Sequence, residues 1–181
     1  MGKKSALHSI ILLAVVVITF FWITNEILSN FSLQFTAILL LTLIFTHHLL
    51  KPASFKLVES TVSTMAVILV VSSTGHLSSP LFFLNYFLLF ELSLLLEPVI
   101  PLVLSAALLI FYFLTGDIGG SPLRFLELAA FPFMTPLAYF FGKIYLKEEN
   151  QKKEIKGLEK KIEKLEEELV EEEIQNKQIS K

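Results

Sequence analysis

The sequence predicts an all-α fold: a polytopic membrane helical bundle of about six transmembrane helices, followed by a charged helix at the carboxyl end. Composition is the first reason, because 54% of the 181 residues are hydrophobic and the mean hydropathy is +0.67. The second reason is arrangement, since the chain is apolar almost without interruption from Ser5 to Leu146. The third is charge, since ten of the 15 Lys and Arg residues lie from Lys143 onward. The predicted domains are therefore a membrane domain, residues 1–146, and a charged segment, residues 147–181.

Short polar or proline-containing breaks divide the apolar region into stretches long enough to cross a hydrocarbon core about 30 Å thick. The predicted spans cover about residues 6–25, 31–50, 56–74, 80–97, 99–115 and 123–146. The first span follows Lys3 and Lys4, but it is longer than the apolar part of a signal peptide and lacks a small-residue cleavage site, so we expect a retained anchor. Alternatively, the fourth and fifth spans form one re-entrant hairpin, which would lower the count and revise the topology.

The basic residues predict the orientation of the spans. Cytoplasmic loops of membrane proteins carry an excess of Lys and Arg. If the amino terminus is cytoplasmic, most basic residues of the membrane domain and its borders lie in inner segments, and Arg124 is the basic residue of the outer turns. The inner set is Lys3, Lys4, Lys51, Lys56, Lys143 and Lys147. An even number of spans places both ends of the chain on the same side. The expected location is the plasma (inner) membrane, multi-pass, with both termini and the charged segment in the cytoplasm.

Several classes of function are not expected. The formal net charge of -2 gives no reason to expect a nucleic-acid partner. The absence of cysteine excludes thiolate ligands and disulfides from this sequence. His47 and His48 are adjacent rather than one helical turn apart, which makes a poor metal clamp and favours interfacial anchors. We expect no metal site, no catalytic residues and no enzyme, because the sequence has no nucleotide-binding motif and the charged segment has no phosphoacceptor histidine.

Glu91 is the main polar candidate inside the bundle. It lies about eleven residues after Pro80, roughly 16 Å along a helix and near the bilayer midplane. One interpretation is a proton- or ligand-sensing acid, with Asn85 on the same helix; the other is a neutral, hydrogen-bonded packing residue. On the third span, small hydroxyl residues from Ser60 onward favour close helix contact and predict an interior position.

An aromatic stripe follows Pro80 on the fourth span. Its members are Phe82, Phe83, Tyr86, Phe87 and Phe90. Such a stripe can border a flat hydrophobic ligand, or it can pack against lipid and neighbouring helices. The two residues before Pro80, Ser78 and Ser79, are suited to capping a helix whose first turn contains the proline.

Two prolines interrupt the sixth span. Pro132 and Pro136 lie one turn apart, and each removes a backbone hydrogen bond, which predicts a kink. The kink is either passive or the place where a rearrangement of the bundle becomes rotation or tilt of the charged segment. We therefore mark both prolines as candidate signal-transmission residues.

The charged segment contains a short heptad pattern. Its apolar positions, spaced three and four residues apart, are Ile155, Leu158, Ile162, Leu165 and Leu169. Ile at position a and Leu at position d favour a parallel two-stranded coiled coil, so we predict a homodimer through this segment. The alternative is a solvated single helix stabilised by ion pairs such as Glu149 with Lys153.

The connection before the fourth span is a short turn with a distinctive sequence. It reads Ser73, Thr74, Gly75, His76, Leu77, Ser78, Ser79, Pro80, Leu81. This run resembles the Thr-Gly-Gly-x-x-Asn/Ser-Pro-Phe turn of multi-span bacterial sensor histidine kinases, including the quinone-responsive redox-regulator family. Gly75, Ser79 and Pro80 match that turn, whereas His76 replaces its second glycine and Leu81 its phenylalanine. The resemblance covers the membrane domain and the start of the charged segment, without the kinase transmitter.

The resemblance implies a membrane sensor or signalling adaptor, quinone as ligand, and a cytoplasmic kinase or response regulator as partner. The candidate ligand-binding residues are Gly75, His76, Pro80, Phe83 and Glu91. Two other classes stay open: a small transporter or membrane enzyme that uses Glu91 and Asn85, and a structural anchor that recruits other coiled-coil proteins. In each class the protein contacts membrane lipids.

Overall fold

The computed structural model describes residues 3–49, 52–115 and 122–179, and these residues form helices and short turns without a β-strand. The helices, in chain order, are α1 (Lys3–Thr24), α2 (Glu26–Ser29), α3 (Ser32–Leu49), α4 (Pro52–Ser73), a 3₁₀ turn (His76–Ser78), α5 (Leu84–Leu95), α6 (Ile100–Thr115) and α7 (Pro122–Ile179). The predicted all-α class is confirmed.

Four of the described helices contain segments long and apolar enough to cross a membrane: Ala6–Thr24, Ser32–Leu49, Phe55–Ser73 and a part of Arg124–Leu169. These helices support the prediction of a membrane protein. The apolar helices α5 and α6 have 12 and 16 residues. At 1.5 Å per residue they are about 18 and 24 Å long, shorter than a hydrocarbon core of about 30 Å. The count of six spans therefore stays a prediction.

The chain divides into two compact units, Met1–Lys143 and Ile144–Lys181. The division falls within α7, close to the boundary between the two predicted domains. The first unit contains the helical bundle, and the second contains the charged part of α7.

Helix α4 occupies an interior position in the bundle. It contacts α1, α3 and α5, and Ser60, Thr64, Ile68 and Leu69 are fully buried. The small hydroxyl residues donate to carbonyl oxygens of their own helix, as Thr64 does to Ser60 at 2.7 Å. These internal bonds leave a smooth surface against which neighbouring helices can pack. The interior position predicted for the third span is confirmed.

The connection into α5 differs from the prediction. The residues from Pro80 to Phe83 form a run of tight turns, with i→i+3 bonds such as the Phe82 amide to the Ser79 carbonyl at 3.1 Å, and the α-helix begins only at Leu84. Pro80 therefore lies before α5 rather than in its first turn. Ser79 still acts as a local cap, because its Oγ accepts the Leu81 amide at 3.1 Å.

Aromatic rings fill the space between α5, α6 and α7. The Phe82 ring is edge-on to Tyr112 at 5.1 Å and to Phe131 at 6.0 Å between centroids, and Tyr86 lies 5.3 Å from Phe131. Phe83, which precedes α5, and Phe87 on α5 are exposed. The aromatic stripe is therefore divided between the interior and the exposed surface of the bundle.

Candidate functional site

The turn between α4 and α5 forms one wall of a small polar cavity, the turn pocket. Its volume is about 210 Å³, and it is lined by Gly75, His76, Leu77, Ser78, Thr115 and Arg124. Gly75 adopts φ 128° and His76 adopts φ 52°. A backbone at positive φ suits glycine, and the tight reversal it permits brings His76 back toward the ends of α6 and α7. The turn pocket thus brings together side chains from three separate parts of the chain.

The turn pocket contains two nitrogen-bearing side chains with different roles. The Arg124 Nε donates to the Ser78 Oγ at 2.8 Å, which ties the first turn of α7 to the 3₁₀ turn. His76 is half-buried, and burial lowers its pKa from the ordinary value of 6.5. Its Nδ1 is buried and has no hydrogen-bond partner within the described residues.

Helix α7 is joined to its neighbours by further hydrogen bonds within the bundle. The Tyr86 hydroxyl donates to the Glu127 carbonyl oxygen at 2.7 Å. Thr135 and Ser105 share a hydrogen bond of 2.6 Å in a buried position. These bonds connect α7 to α5 before Pro132 and to α6 between Pro132 and Pro136. The part of α7 that contains the two prolines is therefore held by side-chain contacts from both neighbouring helices.

A buried polar pair joins α5 to α6. The Tyr112 hydroxyl donates to the Asn85 Oδ1 at 3.1 Å, and the Asn85 Nδ2 donates to the Phe82 carbonyl at 3.0 Å. Both side chains are fully buried. Asn85 is thereby occupied in joining α5 to α6, so its observed role is structural.

Helices α5 and α7 approach closely at Ser93 and Gly142. A Cβ atom on Gly142 would lie 2.6 Å from the Ser93 carbonyl oxygen and 2.9 Å from the Ser93 Cβ. Only glycine permits this distance between the two backbones. Sequence reasoning did not select Gly142. The available signal was a glycine within an apolar helix, which in membrane proteins often marks close contact.

The structure places the predicted ligand-binding residues in different locations. Gly75 and His76 line the turn pocket. Pro80 is exposed in the run of turns before α5, and Phe83 lies on the exposed side of the chain. Glu91 is half-buried on α5, a helix that packs against α4. The turn pocket and Glu91 are thus two distinct candidates.

Two apolar grooves of similar size flank α6. The α1–α6 groove, about 600 Å³, is lined by Leu13, Val16, Val17, Phe20, Phe21, Val103, Ala106, Ala107, Ile110, Phe111 and Leu114. The α6–α7 groove, about 640 Å³, is lined by Leu109, Ile110, Phe113, Leu114, Phe125, Leu128, Ala129, Pro132 and Phe133. Pro132, a candidate signal-transmission residue, therefore forms part of a groove wall.

The charged part of α7 exposes the predicted heptad seam. Its members are 54 to 62% exposed: Ile155, Leu158, Ile162, Leu165 and Leu169. The predicted ion pair between Glu149 and Lys153 is present at 2.7 Å. Lys152 pairs in the same way with Glu148 at 2.7 Å and lowers the pKa of that carboxyl. These pairs support the helix itself and leave the apolar seam uncovered.

The described residues contain no group of three or more His, Cys, Asp or Glu side chains that could hold a metal ion. The site is thus an assembly of a polar turn pocket, apolar grooves and polar contacts along α7. No protein-family model matches the chain, and no curated protein or solved structure matches it significantly.

Proposed function

We propose that this chain is a membrane sensor or signalling adaptor, in which α7 passes a change in the membrane bundle to a cytoplasmic coiled coil. One observation carries the proposal: α7 lines the turn pocket at Arg124 and, within the same helix, presents an exposed heptad seam from Ile155 to Leu169. A helix that combines a ligand-sized cavity with an uncovered association surface suits signal transmission better than it suits packing alone.

The side-chain contacts of α7 supply the means of transmission. Arg124, Glu127 and Thr135 each engage a partner outside α7, and Gly142 packs directly on the backbone of α5. Packed interfaces of this kind change between discrete arrangements rather than deform continuously. A ligand that favours one arrangement of these contacts shifts the population of α7 conformations, by no more than its difference in affinity for them.

The proposed topology has six spans, with both termini in the cytoplasm of a plasma-membrane protein. The excess of basic residues in the segments proposed as inner supports this orientation. If α5 and α6 form a re-entrant hairpin instead, the count falls by two and stays even. The charged segment then remains on the same side as the amino terminus, so the signalling proposal is unaffected.

The proposed output is a parallel homodimer of the charged segment. Ile at a and Leu at d suit two strands, and Lys161 at a g position is placed to pair with Glu166 of a second copy. The seam covers about two heptads, so it would associate weakly by itself. Anchoring in the same membrane raises the effective concentration of the two helices. The resemblance to sensor kinases suggests a kinase or response regulator as the next partner.

Cysteine crosslinking in native membranes tests this function, because the wild-type chain has no cysteine. Single cysteines at Leu158 and Leu165 should crosslink with a short reagent, whereas matched cysteines at Lys156 and Lys160 should not. Thr135→Val should change crosslinking at Leu158, since it removes the α6 contact beside the prolines. Equal crosslinking at seam and control positions, or none at either seam position, contradicts the proposed dimer.

A second candidate function is proton-coupled transport that uses Glu91. It is favoured by the position of Glu91, a half-buried carboxyl group on α5, which packs against α4. Intramembrane acids that face a neighbouring helix are characteristic of proton pathways. Glu91→Gln should then abolish proton uptake by liposomes that contain the protein, while crosslinking at Leu158 is unchanged. Unchanged uptake in this variant would exclude the carboxyl from transport.

A further inference from the structure

We propose that the turn pocket and the α6–α7 groove together bind one glycerophospholipid, with its phosphate beside Arg124 and one acyl chain in the groove against Pro132. This inference deepens the proposed function and rests on it, because it names the class of ligand that would act on α7.

The two cavities are lined by neighbouring residues at the ends of the same two helices. Thr115 of α6 lines the turn pocket, and the preceding residue, Leu114, lines the groove. On α7, Arg124 lines the turn pocket and the following residue, Phe125, lines the groove. Polar lining therefore gives way to apolar lining within one residue on both helices. A ligand that spans them must have a polar head and a hydrocarbon body.

The turn pocket supplies the chemistry for a phosphate head group. The Arg124 guanidinium carries a permanent positive charge and is a preferred partner of phosphate. The Ser78 Oγ accepts from Arg124 Nε, so its own proton remains available for a ligand oxygen. Arg124 and Ser78 thus both line a cavity of about 210 Å³.

The α6–α7 groove is long enough to hold part of one acyl chain. Its α7 wall runs from Phe125 to Phe133, which is about 12 Å of helix. This is less than half of a hydrocarbon core about 30 Å thick, so a chain from a single leaflet fills it. Pro132 and Phe133 lie at the far end from Arg124. A bound lipid would consequently contact both the first turn of α7 and the first of its two prolines.

The α1–α6 groove provides an internal comparison. It has nearly the same volume, about 600 Å³ against 640 Å³. Both grooves include Ile110 and Leu114 of α6, but the described residues that line the α1–α6 groove come from α1 and α6 and include neither Arg124 nor its neighbour Phe125. Selective binding in the α6–α7 groove would therefore depend on the turn pocket rather than on apolar volume.

Native mass spectrometry of the purified full chain in detergent, titrated with phosphatidylcholine, tests the proposal. Wild-type protein should retain one tightly bound phospholipid. Ala129→Phe fills the α6–α7 groove and should raise the dissociation constant at least tenfold, whereas Ala106→Phe, in the α1–α6 groove, should leave it unchanged. Arg124→Gln should raise it about tenfold, as expected for loss of one charge-assisted hydrogen bond, and Arg124→Lys should restore part of the affinity. The melting temperature of each variant identifies any that fail to fold.

Three results would overturn the lipid site. The first is equal loss of binding in Ala106→Phe and Ala129→Phe, which would mean that apolar volume alone decides retention. The second is equal affinity for diacylglycerol, which lacks the phosphate. The third is saturable binding of a quinone without any retained phospholipid. Crosslinking at Leu158 is measured separately, so a bound lipid without seam crosslinks contradicts the signalling function alone.

Discussion

Gly142→Ala is the substitution whose outcome the structure specifies most directly. The new Cβ would lie 2.6 Å from the Ser93 carbonyl oxygen, 2.9 Å from its Cβ and 3.2 Å from its carbonyl carbon. Two of these atoms belong to the backbone of α5, so the clash cannot be relieved by rotation of a side chain. Overpacking in a well-packed interior costs about 1–3 kcal/mol. Against this cost, alanine has a higher helix propensity than glycine, which stabilises the helix by up to about 1 kcal/mol.

Gly157→Ala is the matched control in the same helix. A Cβ on Gly157 meets no atom within 4 Å. This variant therefore gains the higher helix propensity of alanine without a steric clash. Subtracting the two results isolates the overpacking cost, and we expect Gly142→Ala to be less stable than Gly157→Ala by about 1–3 kcal/mol. Ser93→Gly should rescue Gly142→Ala only in part, because it removes the Cβ and leaves the carbonyl oxygen in place.

Unfolding of the detergent-solubilised protein by sodium dodecyl sulfate measures these differences. The chain has a single tryptophan, Trp22, whose ring stacks on Phe35 at 4.4 Å and reports on the bundle by fluorescence. Circular dichroism follows helix content in the charged part of α7 as well, and therefore also reports on Gly157→Ala, which lies outside the bundle. The reasoning is refuted if Gly142→Ala raises the free energy of unfolding as much as Gly157→Ala does.

Three further predictions concern the polar contacts. Tyr112→Phe leaves the Asn85 Oδ1 without its observed donor and should lower the free energy of unfolding by about 0.5–1.5 kcal/mol in the same assay. An unchanged unfolding midpoint would show that this hydrogen bond contributes nothing to stability. Thr135→Val keeps the side-chain shape and should lower the free energy of unfolding by a similar amount, about 0.5–1.5 kcal/mol. In a double-mutant cycle with Ser105→Ala, the two substitutions should not be additive, because both remove the same hydrogen bond. Because burial lowers the pKa of His76, the folded state prefers neutral imidazole, so the melting temperature should fall as pH falls from about 7.5 through the ordinary histidine value. His76→Asn, which tolerates positive φ, should reduce that decline, and an identical pH profile in the variant would argue against this assignment.

The candidate site was only partly predictable from the sequence. Gly75 and His76 were selected from the turn, and they do line a cavity. Arg124 was recognised for its position on the chain but not as a neighbour of His76, because the two residues are far apart in sequence. Phe83 was selected within the aromatic stripe, yet the structure buries Phe82 instead. Periodicity could not choose between them, since both faces of a membrane helix are apolar.

The length of the helical segments shows a similar limit. Hydropathy identified the apolar stretches, and the described helices coincide with them, but it did not predict that α5 would begin only at Leu84. The turns from Pro80 to Phe83 are as apolar as a helix, so composition does not distinguish them. They follow the reversal at Gly75 and are held by tight i→i+3 hydrogen bonds.

By itself the sequence determined the all-helical class, the membrane character, the charged segment and its heptad spacing. Each of these follows from local composition and periodicity, because backbone hydrogen bonds in a membrane must be satisfied within a helix. The tertiary structure alone decided which polar groups meet: Tyr112 with Asn85, Ser105 with Thr135, and Gly142 with Ser93. Those contacts depend on how apolar helices of similar appearance rotate against one another, which is set by shape and hydrogen bonding rather than by hydropathy.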